Sequence, residues 1–339
     1  MFSPRLASAP RRRRAYRTAL RARGYLLSTL TLVIALPAAA LAILLIHRLD
    51  ARLGYGIAYA LFALWALAGL ALLLMNSRIA AKAVLRPLRD TDPAKLSKVW
   101  SEVLTAAGLA PTRRHALWVN EQDRGVEAFV VGGVVAIDHA AARTLRARDL
   151  RGVLAHELGH ALSNSGNPLR ILASALKIPL KTLLRLLFSA IDLLEHLRIL
   201  PDAGVYTTEV TLFRKATCCA ALAAGSAYLI GPLPTLALAA PIALEPVLHH
   251  ALRRQGERLA DRVATDLGYG PNMMSYLEIR SADHAAAHRL PLHVTGPTAR
   301  ALHLLAASTA THPNPQARIA AIERRIRHRE TRSPGTVTP

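Results

Sequence analysis

The sequence predicts a mainly α-helical membrane protein carrying a small α+β domain, in which one histidine-bearing helix lies beside a short sheet. Three observations lead there. Two uncharged runs, 25–46 and 55–75, are each long enough to cross a ~30 Å hydrocarbon core. Short apolar segments of strand character occupy 117–119 and 128–137, within a polar, soluble-looking stretch. Directly after them comes Val153-Leu-Ala-His-Glu-Leu-Gly-His-Ala-Leu162, an uncharged-flanked helix with histidines four residues apart.

Composition sets the context. The 339 residues are 52% hydrophobic but only 5% aromatic, with a net charge of +21. Positive mean hydropathy beside such a charge requires apolar and basic residues to be segregated. They are: long uncharged runs alternate with arginine-dense ones. That balance fits nucleic acid or an anionic membrane face, and the apolar runs favour the membrane, so no nucleic-acid partner is expected. The two cysteines, Cys218 and Cys219, are adjacent in an apolar run and make no ordinary disulfide framework.

Residues 1–24 form a basic arm without acids, holding Arg11 to Arg14, Arg17, Arg21 and Arg23. Residues 25–76 read as a transmembrane hairpin, with spans 25–46 and 55–75. The first run exceeds a signal-peptide core and a second follows at once, so an anchor is expected rather than a cleaved leader. Basic residues flank the hairpin again at Arg78, Lys82, Arg86 and Arg89, which by the positive-inside rule leaves both its ends in the cytoplasm.

Residues 77–168 read as the first part of a soluble domain. Asp92-Pro93 opens a helix through Ala107, closed by Gly108, and the strands then lead into the histidine helix. His156 and His160 share one helix face, offering two imidazoles to a metal ion, and Glu157 is a carboxylate able to take a proton from water. A helix that merely carries two histidines is the plain alternative, so the motif needs partners.

Residues 169–200 carry Arg170, Lys177, Lys181, Arg185, Asp192, Glu195 and Arg198 at helical spacing, which predicts an amphipathic helix kinked at Pro179. Residues 216–248 are almost uncharged, broken by Gly231-Pro232-Leu233-Pro234, and predict an apolar membrane-associated hairpin.

Residues 249–325 read as the second part of the domain. Glu257 and Asp261, four apart, suit a third metal ligand and a carboxylate that orients a ligand histidine. Spacing alone favours a solvated helix face, since Arg253, Arg254, Arg258 and Arg262 surround these acids. His249 and His250 are rival ligand candidates, and His284, His288 and His293 lie in a polar stretch. Residues 326–339 form a basic tail expected to be disordered.

The pairing of His156-Glu157-Leu158-Gly159-His160 with Glu257-Arg258-Leu259-Ala260-Asp261 resembles the M48 family of zinc metallopeptidases, and in particular its membrane-embedded HtpX-like members, related to the CAAX prenyl protease. The segment from Thr311 to Ile319 is similar to the family's late His-Pro…Arg segment, and the likeness extends over about 77–325. The resemblance implies a zincin-type metallopeptidase domain binding one Zn²⁺ per chain through His156, His160 and Glu257. It further implies Glu157 as general base, Asp261 behind a ligand histidine, and His312 and Arg318 beside the cleft. One departure stands out: where the family has an amide, this chain has Glu127, ahead of Ala128-Phe129-Val130.

The implied activity is hydrolysis of peptide bonds in misfolded or membrane proteins, at a bacterial inner membrane with an anionic inner leaflet. A membrane sensor with narrow or self-directed cleavage is the second reading. Oligomeric state leaves no sequence signal.

Overall fold

A computed structural model describes residues 10–54, 56–75, 81–82, 85–110, 112, 115–121, 128–131, 133–163, 167–196, 208–287 and 314–331. It is mostly helical with one small sheet. The chain divides into two units, one joining Met1–Ser28, Leu74–Asn167 and His250–Pro339, the other Thr29–Leu73 and Pro168–His249.

In the first unit, strands β1 (Arg86–Pro87), β2 (Leu117–Asn120), β3 (Ala128–Val131) and β4 (Val134–Asp138) form a sheet in the order β1-β2-β4-β3. β1 pairs antiparallel with β2, β2 parallel with β4, and β3 antiparallel with β4. The β3–β4 connection turns at Gly133, whose φ of 78° suits a residue without a Cβ. Strand alternation sorts the side chains cleanly. Leu117, Val119, Val135 and Ile137 face the main core, while Trp118, Phe129, Val134 and Ala136 join Ala81 and Leu85 on the other face. β1 had no sequence signal: Arg86 is fixed there by a fork of hydrogen bonds to Asp92, at 2.6 Å each.

Helix α3 (Ala94–Ala106), α4 (His139–Thr144) and α5 (Ala147–Ser163) complete this half of the core. α3 puts Leu96, Val99, Val103 and Leu104 into it at helical spacing, and ends before Gly108 at φ 65°. On α5, Leu150, Leu154 and Leu158 are at most 1% exposed, and the helix packs on α3, β3 and β4. Two later helices close over it. They are α10 (Gly270–Ala287), which packs on α5, and α11 (Pro315–Thr331), which packs on α10. Gly152 makes the first contact feasible, since a Cβ there would come within 2.5 Å of Met273 N. α11 runs to Thr331, so residues 326–331 are helical and not a disordered tail. Arg325 forks onto Asp266 at 2.8–2.9 Å and Arg329 donates to Thr265 O at 2.8 Å, which holds that last turn.

The second unit is apolar outside as well as in. It contains most of α1 (Pro10–Leu53) and α2 (Ile57–Met75), then α6 (Pro168–Leu176), α7 (Ile178–His196), α8 (Thr208–Ile230) and the start of α9 (Pro232–Asp266). Among the described residues, the helices of 15–53, 57–75 and 232–266 are long and apolar enough to cross a membrane. α2 buries no residue, and Leu64, Leu67 and Leu70 are each more than half exposed, a surface suited to lipid. Ala38, Leu41, Leu180 and Ile230 form the unit's own core. Trp65 Nε1 donates to Ala175 O at 2.7 Å, and Lys177 pairs with Glu245 at 2.7 Å.

Two features differ from the sequence expectations here. The amphipathic segment is two helices broken at Lys177, since Pro179 is accepted only in the first turn of a helix. The apolar run breaks at Gly231, φ 91°, as its Gly-Pro signal indicates, but the helix that follows does not stop at 248: α9 continues unbroken to Asp266 and carries Glu257 and Asp261 with it.

Candidate metal centre

The site is built where α5 and α9 cross. His156 and His160 rise from one face of α5, their rings edge to face with centroids 4.8 Å apart. Glu257 arrives from α9, with its Oε1 3.4 Å from His160 Nε2 and its Oε2 3.5 Å from His156 Nε2. These are long for direct hydrogen bonds. They match a shared cation: bonds of ~2.0–2.1 Å at tetrahedral angles put ligand atoms about 3.4 Å apart. Among the described residues this is the one group of three or more histidine, cysteine or carboxylate side chains whose ligand atoms converge, all within 4.8 Å. His249 and His250 are not in it, and His284 has no described side chain.

Behind the ligands sits Asp261. Its Oδ1 accepts from His156 Nδ1 at 2.9 Å, which leaves Nε2 as the lone-pair nitrogen turned toward Glu257. Arg318, from α11, forks onto the same carboxylate, Nε to Oδ2 at 2.9 Å and Nη2 to Oδ1 at 2.7 Å. Its Nη1 lies 3.8 Å from Glu257 Oε2. His156, Asp261 and Arg318 are all at most 7% exposed, whereas the His160 side chain is 26% exposed and gives the centre a solvent side.

The electrostatics follow from this burial. Burial alone disfavours charge on His156, yet the carboxylates of Asp261 and Glu257 overcome it and lift the imidazolium to about 9. Burial likewise works against the Asp261 carboxylate, but His156 and Arg318 hold it down at about 2. Two carboxylates facing one buried imidazole create a place that demands positive charge. The donor set of two imidazoles and one carboxylate fits zinc, with Asp261 fixing one ligand's tautomer.

Of the residues singled out from sequence, the structure brings His156, His160, Glu257, Asp261 and Arg318 together, and Glu157 stands half-buried next to His156. His312 and Glu127 lie outside the described residues. Arg318, expected beside the cleft, lies there: it forks onto Asp261 and its Nη1 is 3.8 Å from Glu257 Oε2. One contributor escaped sequence reasoning. A Cβ on Gly159 would meet Ala260 Cα at 2.9 Å and Ala260 O at 3.1 Å, so α5 and α9 touch backbone to backbone between their ligands. A glycine inside an otherwise good helix was the available signal.

The sequence matches peptidase family M48 over residues 90–326. The chain belongs to that family. The match takes in His156, His160, Glu257 and Arg318, so the converging His-His-Glu group lies within the part of the chain that shows the family. No curated protein sequence matches the chain. Four solved chains do, among them the crystal structure of S. mikatae Ste24p, 19% identical with a TM-score of 0.42. That alignment covers 87% of this chain and 63% of the other, so the M48 chain spans under two thirds of that protein's length.

Proposed function

We propose that this chain is a membrane-bound zinc endopeptidase, with a zincin-type site formed by α5 beside the mixed sheet. The observation that carries the reading is the 3.4–3.5 Å spacing of Glu257 from both histidines, with Asp261 locked behind His156. His156, His160 and Glu257 would hold one Zn²⁺, which would supply Lewis-acid polarisation of a scissile carbonyl and acidification of water. Glu157 takes the proton from the attacking water and passes it to the departing amine nitrogen. β3 pairs with β4 along one side, and its other side is available to align an extended peptide by main-chain hydrogen bonds. Arg318 holds Asp261, leaving His312 as the candidate donor to the oxyanion.

The basic residues flanking the first two spans support, by the positive-inside rule, a reading in which both ends of that hairpin and the site lie on the cytoplasmic side, the membrane being read as a bacterial inner membrane. Misfolded or unassembled membrane proteins are the substrates this arrangement suits. The decisive experiment combines metal content with turnover in purified full-length protein. Wild type should carry about one zinc and Glu257→Ala should lose it. Glu157→Gln should keep zinc and lose casein cleavage by roughly 10²–10⁴-fold. Cleavage by Glu157→Gln at the wild-type rate would overturn the assignment.

A further inference from the structure

The N-terminal turns of α1 do more in this structure than precede a span. At 1.5 Å per residue, the 44 residues of α1 extend roughly 66 Å, about twice the hydrocarbon thickness. The surplus, from Tyr16 to Ser28, belongs to the unit that holds the metal centre. It touches two of that unit's helices, α5 and α9, at three places.

Gly24 lies against the end of α5. A Cβ there would overlap the carbonyl oxygen of Ser163, three residues beyond His160. One turn further on, Ser28 is fully buried and its hydroxyl donates to Gly24 O at 2.9 Å. Leu20, 3% exposed, packs with Leu259 and Val263 of α9, two and six residues beyond Glu257. Tyr16 donates its hydroxyl to Asp266 Oδ2 at 2.9 Å, on the carboxylate that also receives the Arg325 fork from α11. The contact is close: the cavity that Tyr16 and Arg17 share with Ala107, Leu162, Val263 and Leu267 is only ≈ 20 Å³.

These contacts have a common geometry. α5 supplies two ligands, α9 supplies the third and Asp261, and α11 supplies Arg318. The same short helix end fastens directly to the first two, at Ser163 of α5 and at Leu259, Val263 and Asp266 of α9, and is linked to α11 only through the Asp266 carboxylate that Arg325 also holds. We infer that the stretch Tyr16–Ser28 is a positioning element of the metal centre, which fixes the spacing of His160 from Glu257 by clamping α5 to α9. The inference rests on the zinc reading above. Tyr16, Leu20 and Gly24 are positioning residues, acting through helices and touching neither metal nor substrate.

The test uses full-length protein in detergent, with zinc affinity measured by chelator competition and coordination read from the absorption spectrum of the Co²⁺-loaded protein. Leu20→Ala and Gly24→Ala should each weaken zinc about tenfold, as loss of ligand support does elsewhere, and should change the Co²⁺ spectrum. Leu20→Met should restore both. Leu85→Ala is the control, since Leu85 is 6% exposed on the opposite face of the sheet and should leave both readings at wild type. Unchanged affinity and spectrum in Leu20→Ala would overturn the inference, and so would equal losses in Leu20→Ala and Leu85→Ala, which signal general destabilisation. If Gly24→Ala does not fold, Leu20→Ala decides alone. A wild-type protein that binds no zinc overturns the metal reading and this inference with it. Zinc-binding wild type with unaffected variants overturns only the inference.

Discussion

Gly159 and Ala260 set the distance between the two halves of the metal centre. Gly159 sits beside His160 and Ala260 beside Asp261, and there is no room for a side chain between their backbones. Two helices that approach this closely bring a short Glu257 side chain within reach of both imidazoles. The expected result of Gly159→Ala is therefore a wider α5–α9 crossing and zinc affinity lower by at least tenfold, measured by chelator competition. An unchanged affinity would show that α9 can shift without moving Glu257.

Asp261 and Arg318 support the site differently, and their variants should separate. Asp261→Asn keeps a hydrogen-bond acceptor but loses the charge, and is expected to cost 10–100-fold in zinc affinity. Arg318→Met leaves the buried Asp261 carboxylate without its fork, and should lower the thermal midpoint by the equivalent of about 3–5 kcal/mol. Arg318→Lys should recover only part, because a single ammonium cannot make both bonds at 2.7 and 2.9 Å. Full recovery by lysine would argue for charge alone.

Lys177 and Glu245 form an ion pair with side chains 9% and 21% exposed, within the apolar unit. Lys177→Met alone strands a carboxylate and should destabilise by roughly 3–5 kcal/mol. The double variant Lys177→Met/Glu245→Leu should lie much closer to wild type, since it removes both desolvation costs. Thermal midpoints in one detergent give the cycle. Additive losses would mean that the two residues act separately.

The Arg86–Asp92 fork makes a pH-dependent contribution. Asp92 is held at about 2, chiefly by its hydrogen bonds from Arg86, against an ordinary aspartate near 3.9. A depressed folded pKa stabilises above the unfolded value and loses that stabilisation as pH falls through about 2. Wild type should thus exceed Asp92→Asn by about 1–2 kcal/mol at pH 6, with the gap closing between pH 4 and pH 2. A gap that persists at pH 2 would assign the difference to packing.

Much of this molecule is legible in its residue order. The uncharged runs specify helices because only a helix satisfies its own backbone in lipid. Period-two alternation in β2 and β4 assigns their faces, and the i, i+4 histidines assign a shared helix face. Gly108, Gly231 and Gly268 end or turn the chain at positive φ, where the sequence marks a break. β1 was not legible, because two residues carry no period. Neither was the continuity of α9, since the apolar run was expected to end at 248 yet the helix, with Pro241 and Pro246 inside it, runs on to Asp266.

By itself, the sequence determined two uncharged runs long enough to cross a membrane, a histidine pair with an adjacent carboxylate, and a family pattern naming Glu257 and Asp261. It could not decide between a ligand set and a solvated acidic face, because Glu257 is about a hundred residues from His156 and spacing along a chain carries no information about such a distance. The tertiary structure places Glu257 beside both imidazoles and buries Asp261, so these acids are no solvated face. Two glycines let α10 and α9 close onto α5, Arg318 neutralises Asp261 in a buried position, and the first turns of α1 fasten the crossing. The physical reason is that a metal centre is defined by separations of a few ångströms, and only packing between distant helices fixes those.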